Sequence, residues 1–201
     1  MLASILLGMG VPTTANYLIT STIMAPVVAR AMHAALPAVY EGLTALGVGY
    51  DLLPAHLFTF YFGIIADITP PVALAAMAGA AIAKSNPLKT GVEASRLAIA
   101  AFLVPYMFVF APEMLMLNAH WYDVALIVLT ALAGMFGVGM AVERYWIHKL
   151  SWPQTFLALA GGLMLIKPGL VTDIVGLLLI STVLIWQRLE AKKQLASPAE
   201  A

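Results

Sequence analysis

Two short runs interrupt otherwise apolar, helix-forming sequence with residues suited to holding small ions: Gly8-Met9-Gly10-Val11-Pro12-Thr13-Thr14 and Asp67-Ile68-Thr69-Pro70-Pro71. In the first, Gly8 and Gly10 permit backbone conformations closed to other residues, and Pro12 lacks an N–H and fixes its own φ. Thr13 and Thr14 stand where an N-cap belongs, ahead of a helix expected from about Ala15. The pattern predicts a hairpin tip. The N-terminus of its second arm, with unpaired N–H groups and about half a positive charge, suits a carboxylate or phosphate. Gly10, Thr13, Thr14 and Asn16, whose amide can donate or accept, are the candidate substrate-binding residues. A Pro-kinked helix with satisfied Thr side chains fits the same residues, and spacing alone leaves both readings open.

In the second run two successive prolines delete two backbone donors, so carbonyls near Ile68 and Thr69 are expected to be open to a hard cation such as Na⁺. Asp67 adjoins them. A carboxylate at membrane depth is costly and marks a functional site by default. Three roles fit: ligand to Na⁺, carrier of a coupled proton, or cap of the helix resuming at Pro71, where proline suits a first turn.

Lipid cannot satisfy a freed N–H or C=O, so broken helices at depth imply a protein or water cavity that does. That the medium is lipid follows from composition: 62% of residues are hydrophobic and 10% charged, against roughly 25% charged in an ordinary soluble domain. Ten Lys+Arg balance ten Asp+Glu. No basic cluster with interleaved aromatics exists, so nucleic-acid binding is set aside. The absence of cysteine removes disulfides and thiolate chemistry. No charged n-region precedes the first apolar run, so a signal peptide is not expected there.

Apolar stretches at about 1–9, 14–35, 55–66, 71–83, 95–111, 121–142, 154–166 and 170–187 predict an all-α integral membrane protein. A crossing takes about 20 residues, which 14–35 and 121–142 supply alone and 95–111 nearly does. The pieces 55–66 and 71–83 read as one discontinuous helix over 55–83, and 1–35 as a hairpin with a short first arm. Basic residues crowd the connections holding Lys84, Lys89 and Arg96, then Arg144 and Lys149, and the tail with Arg188, Lys192 and Lys193. These are expected in the cytoplasm, with 36–54 and 112–120 outside and Arg30 and Lys167 as exceptions. The same parity predicts that 154–187 enters and leaves on one face, as a re-entrant hairpin around Lys167-Pro168-Gly169 or as two short tilted helices. Small residues along 73–83 are expected to pack against a neighbouring helix.

Broken helices supplying anion and cation sites near the midplane recur in secondary transporters. The stretch Gly8 to Tyr17 followed by Ala25-Pro26, the run His56-Leu57-Phe58 to Tyr61-Phe62, Asp67-Ile68-Thr69-Pro70-Pro71-Val72-Ala73, and Lys89-Thr90-Gly91 to Arg96 resemble the large permease of tripartite ATP-independent periplasmic (TRAP) transporters. The resemblance is to the fused branch paired with TAXI-type solute-binding proteins, and it covers about residues 1–117. It implies an elevator-type transport domain, Na⁺ as the usual coupling ion and no other cofactor. It also implies import of small organic carboxylates delivered by a periplasmic binding protein, across a bacterial or archaeal cytoplasmic (inner) membrane. The implied ion-site roles fall on the two interruptions, adding Gly8 to Asp67 and Thr69 as expected Na⁺ residues. It further implies that this chain corresponds to the C-terminal part of such a permease, with an N-terminal half or small subunit as partner and no transport by the chain alone.

Residues 118–201 form an expected C-terminal extension. There Gly161-Gly162-Leu163 with Lys167-Pro168-Gly169-Leu170-Val171-Thr172-Asp173 and Gly176 resembles a membrane hairpin of FxsA-like proteins, with Thr172 and Asp173 expected as caps and a Lys167–Asp173 pair across the turn. His33, His56, His120 and His148 stand singly, without metal-ligand spacing. An intramembrane enzyme is disfavoured, because no His-Glu-x-x-His, Gly-x-Ser-x-Gly or Gly-x-Gly-Asp occurs. A non-transporting scaffold or assembly subunit is the remaining alternative.

Overall fold

A computed structural model describes residues 1–47, 49–117, 119–167 and 169–196, the side chains of 193–196 excepted. Pro168, the expected centre of a turn, and the Lys193 side chain lie outside the described residues, as does the end of the expected tail. Every described regular element is helical, and one isolated bridge pairs Tyr145 with Lys149. Two compact units result, Met1–Val124 and Ala125–Ala201.

The first unit contains α1 (Leu2–Gly8), α2 (Thr13–Ile23), α3 (Ala25–Ala35), α4 (Pro37–Leu46), α5 (Leu53–Ile65), a 3-10 turn (Ala66–Ile68), α6 (Leu74–Ile82), α7 (Pro87–Leu97), α8 (Ile99–Phe110) and a second 3-10 turn (Pro112–Leu115). Helix α5 is its axis, packed by α1, α2, α3 and α8. The reason is its apolar sequence on all sides, which leaves no face that prefers water. Phe62 is fully buried, and Phe58 and Phe62 meet Tyr106 of α8 edge-on at 5.3 and 5.7 Å between ring centres.

The expected single helix over 14–35 is two. Helices α2 and α3 meet at Met24 with a 51° bend, where Pro26 withholds the N–H that a continuous ladder needs. The expected connections also hold structure. Residues 36–54 include α4, and most of α7 falls in 84–94, started by Pro87 and by the Asn86 carboxamide accepting the Lys89 N–H at 3.1 Å. Helix α7 meets α8 at a 44° bend. Tyr40 fixes α4 by donating to the Val109 carbonyl at 3.3 Å. Burial, with Asp51 adding to it, pushes its phenol up to about 12. His33 reaches Asp51 at 3.0 Å. In α6, Ala76 and Ala80 are buried, but Ala75, Ala78 and Gly79 are exposed and a Cβ on Gly79 would meet nothing within 4 Å, so only part of the small-residue stripe packs.

Helix α9 (Trp121–Glu143) begins in the first unit and runs into the second, which adds α10 (Trp152–Ile166) and α11 (Leu170–Ala196). Glycines let these backbones touch: a Cβ on Gly162 would lie 2.8 Å from the Gly134 carbonyl, and one on Gly161 would lie 3.0 Å from the Gly176 carbonyl. A Ser151–Gln154 capping box starts α10. The returning arm is longer than expected, since Leu170–Lys192 is long and apolar enough to cross a membrane, as α9 is. Among the described residues no Lys167–Asp173 ion pair forms. Instead the Thr172 hydroxyl donates to the Lys167 and Gly169 carbonyls at 2.9 and 2.8 Å. Among the described residues two helices are long and apolar enough to cross a membrane, or up to four if each bent pair is one span.

Candidate functional site

The first interruption is a turn between α1 and α2, which pack on each other. Helix α1 stops at Gly8, Gly10 takes φ +74°, and the Val11 N–H donates to the Gly8 carbonyl at 3.4 Å. The N-cap is Pro12, with Thr13 and Thr14 as the first helical residues and exposed. This corrects their expected capping role. Pro12 carries no side-chain acceptor, no side chain caps this end, and the first-turn N–H groups of α2 are left open.

Asn16 lies one turn in, 2% exposed, wedged between two glycines. A Cβ on Gly8 would stand 2.8 Å from Asn16 Nδ2 and 2.6 Å from the Gly63 carbonyl oxygen. A Cβ on Gly63 would stand 2.7 Å from both Asn16 Oδ1 and Nδ2. The amide therefore fills the space that two missing side chains provide between α1 and α5. Its Oδ1 accepts no hydrogen bond, and neither does the hydroxyl of fully buried Ser4, one turn from Gly8. Thr20 and Thr59, one turn from Asn16 and Gly63, are also fully buried, and their hydroxyls donate back to the Asn16 and His56 carbonyls at 2.8 and 2.9 Å. Ser4, Thr20 and Thr59 were not singled out by sequence. Their signal was a small or polar pair at i, i+4 on each of three apolar helices.

The second interruption ends α5. Asp67 is half-buried in the 3-10 turn, and among the described residues its carboxylate takes no hydrogen bond or ion pair. Pro70-Pro71 is a cis peptide, and Ala73 enters α6 at φ +40°. The carbonyls expected to be open are already engaged. The Ile68 carbonyl accepts from the Ser95 hydroxyl of α7 at 2.9 Å, and the Thr69 carbonyl accepts from the Ala73 N–H at 3.1 Å. The Thr69 hydroxyl donates to the Ile65 carbonyl at 2.7 Å. Each carbonyl keeps a second lone pair. Gly91 of α7 brackets the break, where a Cβ would lie 3.3 Å from both Pro70 Cγ and Ala73 Cβ.

The two interruptions meet. Helix α1 packs on the 66–68 turn, and a Cβ on Gly10 would lie 3.8 Å from Val72 Cγ1. The structure thus brings Gly8 and Asn16 against α5 and Gly10 against the break, while Thr13 and Thr14 stay exposed at the tip. Toward the start of α5, Tyr17, one turn past Thr13, pairs its hydroxyl with His56 Nδ1 at 3.1 Å. These two line an apolar cavity of about 240 Å³ with Leu53, Leu57 and Phe60. Groups of three or more His, Asp or Glu that could hold a metal ion are absent among the described residues.

The family model of the tripartite ATP-independent periplasmic transporter, DctM component, matches residues 1–121. No curated protein and no solved structure matches the chain.

Proposed function

The chain belongs to the DctM component family of tripartite ATP-independent periplasmic transporters, a family of membrane transport proteins rather than enzymes. On that premise we propose that it serves cation-coupled import, with Na⁺ as the ion, of small organic carboxylates delivered by a periplasmic solute-binding protein of the TAXI type. A small permease subunit or further permease segments would complete the assembly in the cytoplasmic membrane. One observation carries the reading: the α1–α2 hairpin lies against α5 through Gly8, Asn16 and Gly63, and against the α5–α6 break through Gly10 and Val72. The turn that leads into the open N–H groups of α2, suited to a carboxylate, therefore packs on the same segment that carries an unpaired carboxylate, suited to a cation. Gly10, Thr13, Thr14 and Asn16 are assigned to the anion; Asp67, Thr69 and Gly8 to the cation.

The engaged carbonyls of Ile68 and Thr69 favour a second reading, a scaffold subunit in which the break is structural. The two are separated by Asp67→Asn in the complete transporter. The first predicts that Na⁺ activates substrate uptake more weakly, with half-saturation by Na⁺ raised about tenfold, the equivalent of about 1.4 kcal/mol. Unchanged Na⁺ dependence leaves Asp67 as part of a structural turn.

A further inference from the structure

Outside the family-matched residues, the loop joining α9 to α10 contains a cation with no ion-pair partner among the described residues. Arg144 follows the last residue of α9 in the left-handed conformation, φ +52°. At that position glycine is the usual occupant because a side chain there is disfavoured. The backbone turns the guanidinium onto Trp152, its carbon 4.2 Å from the ring centre. Arg144 Nε is buried and makes no hydrogen bond, and among the described residues the side chain forms no ion pair.

Glu190 of α11, which meets this loop at His148, is engaged elsewhere. Glu190 accepts from Trp186 Nε1 on one oxygen at 2.7 Å and from Gln154 Nε2 on the other at 3.1 Å, with His148 Nε2 3.6 Å away. A donor set of this geometry, planar and stacked on one face, matches the paired oxygens of a phosphate.

The surroundings select a lipid source for that phosphate. The Leu150 N–H donates to the Arg144 carbonyl at 2.8 Å, and the Tyr145–Lys149 bridge folds the loop so that exposed Lys149 returns beside Arg144. Tyr145, Ile147, Trp152 and Phe156 are exposed around it. The site stands at the end of a 23-residue helix long enough to cross a bilayer, the depth at which aromatic rings and headgroups coincide. Positive-inside placement puts this loop at the cytoplasmic leaflet, where anionic lipids reside.

We propose that Arg144, stacked on Trp152 and joined by Lys149, binds the phosphate of an anionic phospholipid headgroup. The test is native mass spectrometry of the full chain released from detergent containing phosphatidylglycerol or phosphatidylcholine. The chain should retain phosphatidylglycerol preferentially. Arg144→Gly, which suits the backbone conformation, should lower that retention about tenfold and leave phosphatidylcholine unchanged. Trp152→Leu keeps the backbone and should lower it as well. Equal retention of the two lipids by the unaltered chain, or retention unmoved in both variants, overturns the proposal. So does displacement of the lipid by millimolar inorganic phosphate, which would identify a free-anion site instead.

Discussion

Replacing Gly63 by alanine places a methyl carbon 2.7 Å from Asn16 Oδ1 and Nδ2 and 3.0 Å from its Cγ, about 1 Å inside ordinary contact. All three nearest atoms belong to one side chain, buried to 2% exposure and held between α1 and α5. Forced overpacking of this kind costs about 1–3 kcal/mol. For a chain of this size that is about 2–4 °C of melting temperature per kcal/mol, measured by the loss of helical circular dichroism in detergent. The cause is specific, so it can be removed. In an Asn16→Ala background the same methyl enters vacated space, and the cost of Gly63→Ala should fall below about 0.5 kcal/mol, giving a coupling of at least about 1 kcal/mol. Gly8→Ala behaves otherwise. Its methyl would also meet the Gly63 carbonyl oxygen at 2.6 Å and Cα at 2.9 Å, which are backbone atoms, so Asn16→Ala should rescue it only in part. Gly79→Ala, with nothing within 4 Å, should be neutral or slightly stabilising. If Gly63→Ala costs the same with and without the Asn16 side chain, the wedge is not what joins the hairpin to α5.

Two further outcomes follow from buried polar groups. Tyr40 has a folded-state value of about 12 against 10.0 for the ordinary phenol, so the native state holds this proton longer. Its contribution is complete below pH 10 and is lost as pH rises from 10 to about 12, and the alkaline fall in melting temperature should be shallower in Tyr40→Phe. In the second unit Gln187 is fully buried, donates to Gln154 Oε1 at 2.9 Å and accepts from the His148 N–H at 3.3 Å. Gln187→Ala leaves the His148 N–H without its acceptor, while Gln154 Oε1 keeps the Ser151 N–H at 2.9 Å, and should cost about 1–3 kcal/mol in the same melting assay.

The interruptions were legible because their signals are local. Gly-x-Gly-x-Pro and Asp-x-Thr-Pro-Pro forbid a continuous ladder whatever surrounds them, and the structure breaks its helices there. The Met24 bend had a local signal too, in Pro26, but it was submerged in a long apolar run. Ser95 closing the Ile68 carbonyl joins residues 27 apart, and the Gln154–Gln187 pair joins residues 33 apart. Nothing in either neighbourhood announces the other. Asn16 is the intermediate case. An amide near a helix start was visible as a polar group at the tip, but only the approach of α5 shows that it fills the void above Gly8 and Gly63. The charge-based topology expects connections at 36–54 and 84–94, and α4 and most of α7 occupy those segments because prolines at their first turns start helices as readily as they end them.

The two bent pairs of the first unit also set a length. Arms of 11 residues each in α2 and α3 are about 16 Å long. Joined at 51°, they reach about 30 Å from end to end, the thickness of the hydrocarbon layer. A straight helix of similar residue number has several ångströms in reserve and can lean without withdrawing its ends from the headgroups. A bent pair spanning the layer has none: leaning by about 30° would shorten its reach to about 26 Å and require the bilayer to thin by the difference, at a fraction of a kcal/mol per ångström. Inclination of the hairpin arm and local bilayer thickness are therefore a single variable, and lipids of longer or shorter acyl chain should act on the α1–α2 tip from the far end of its own helix.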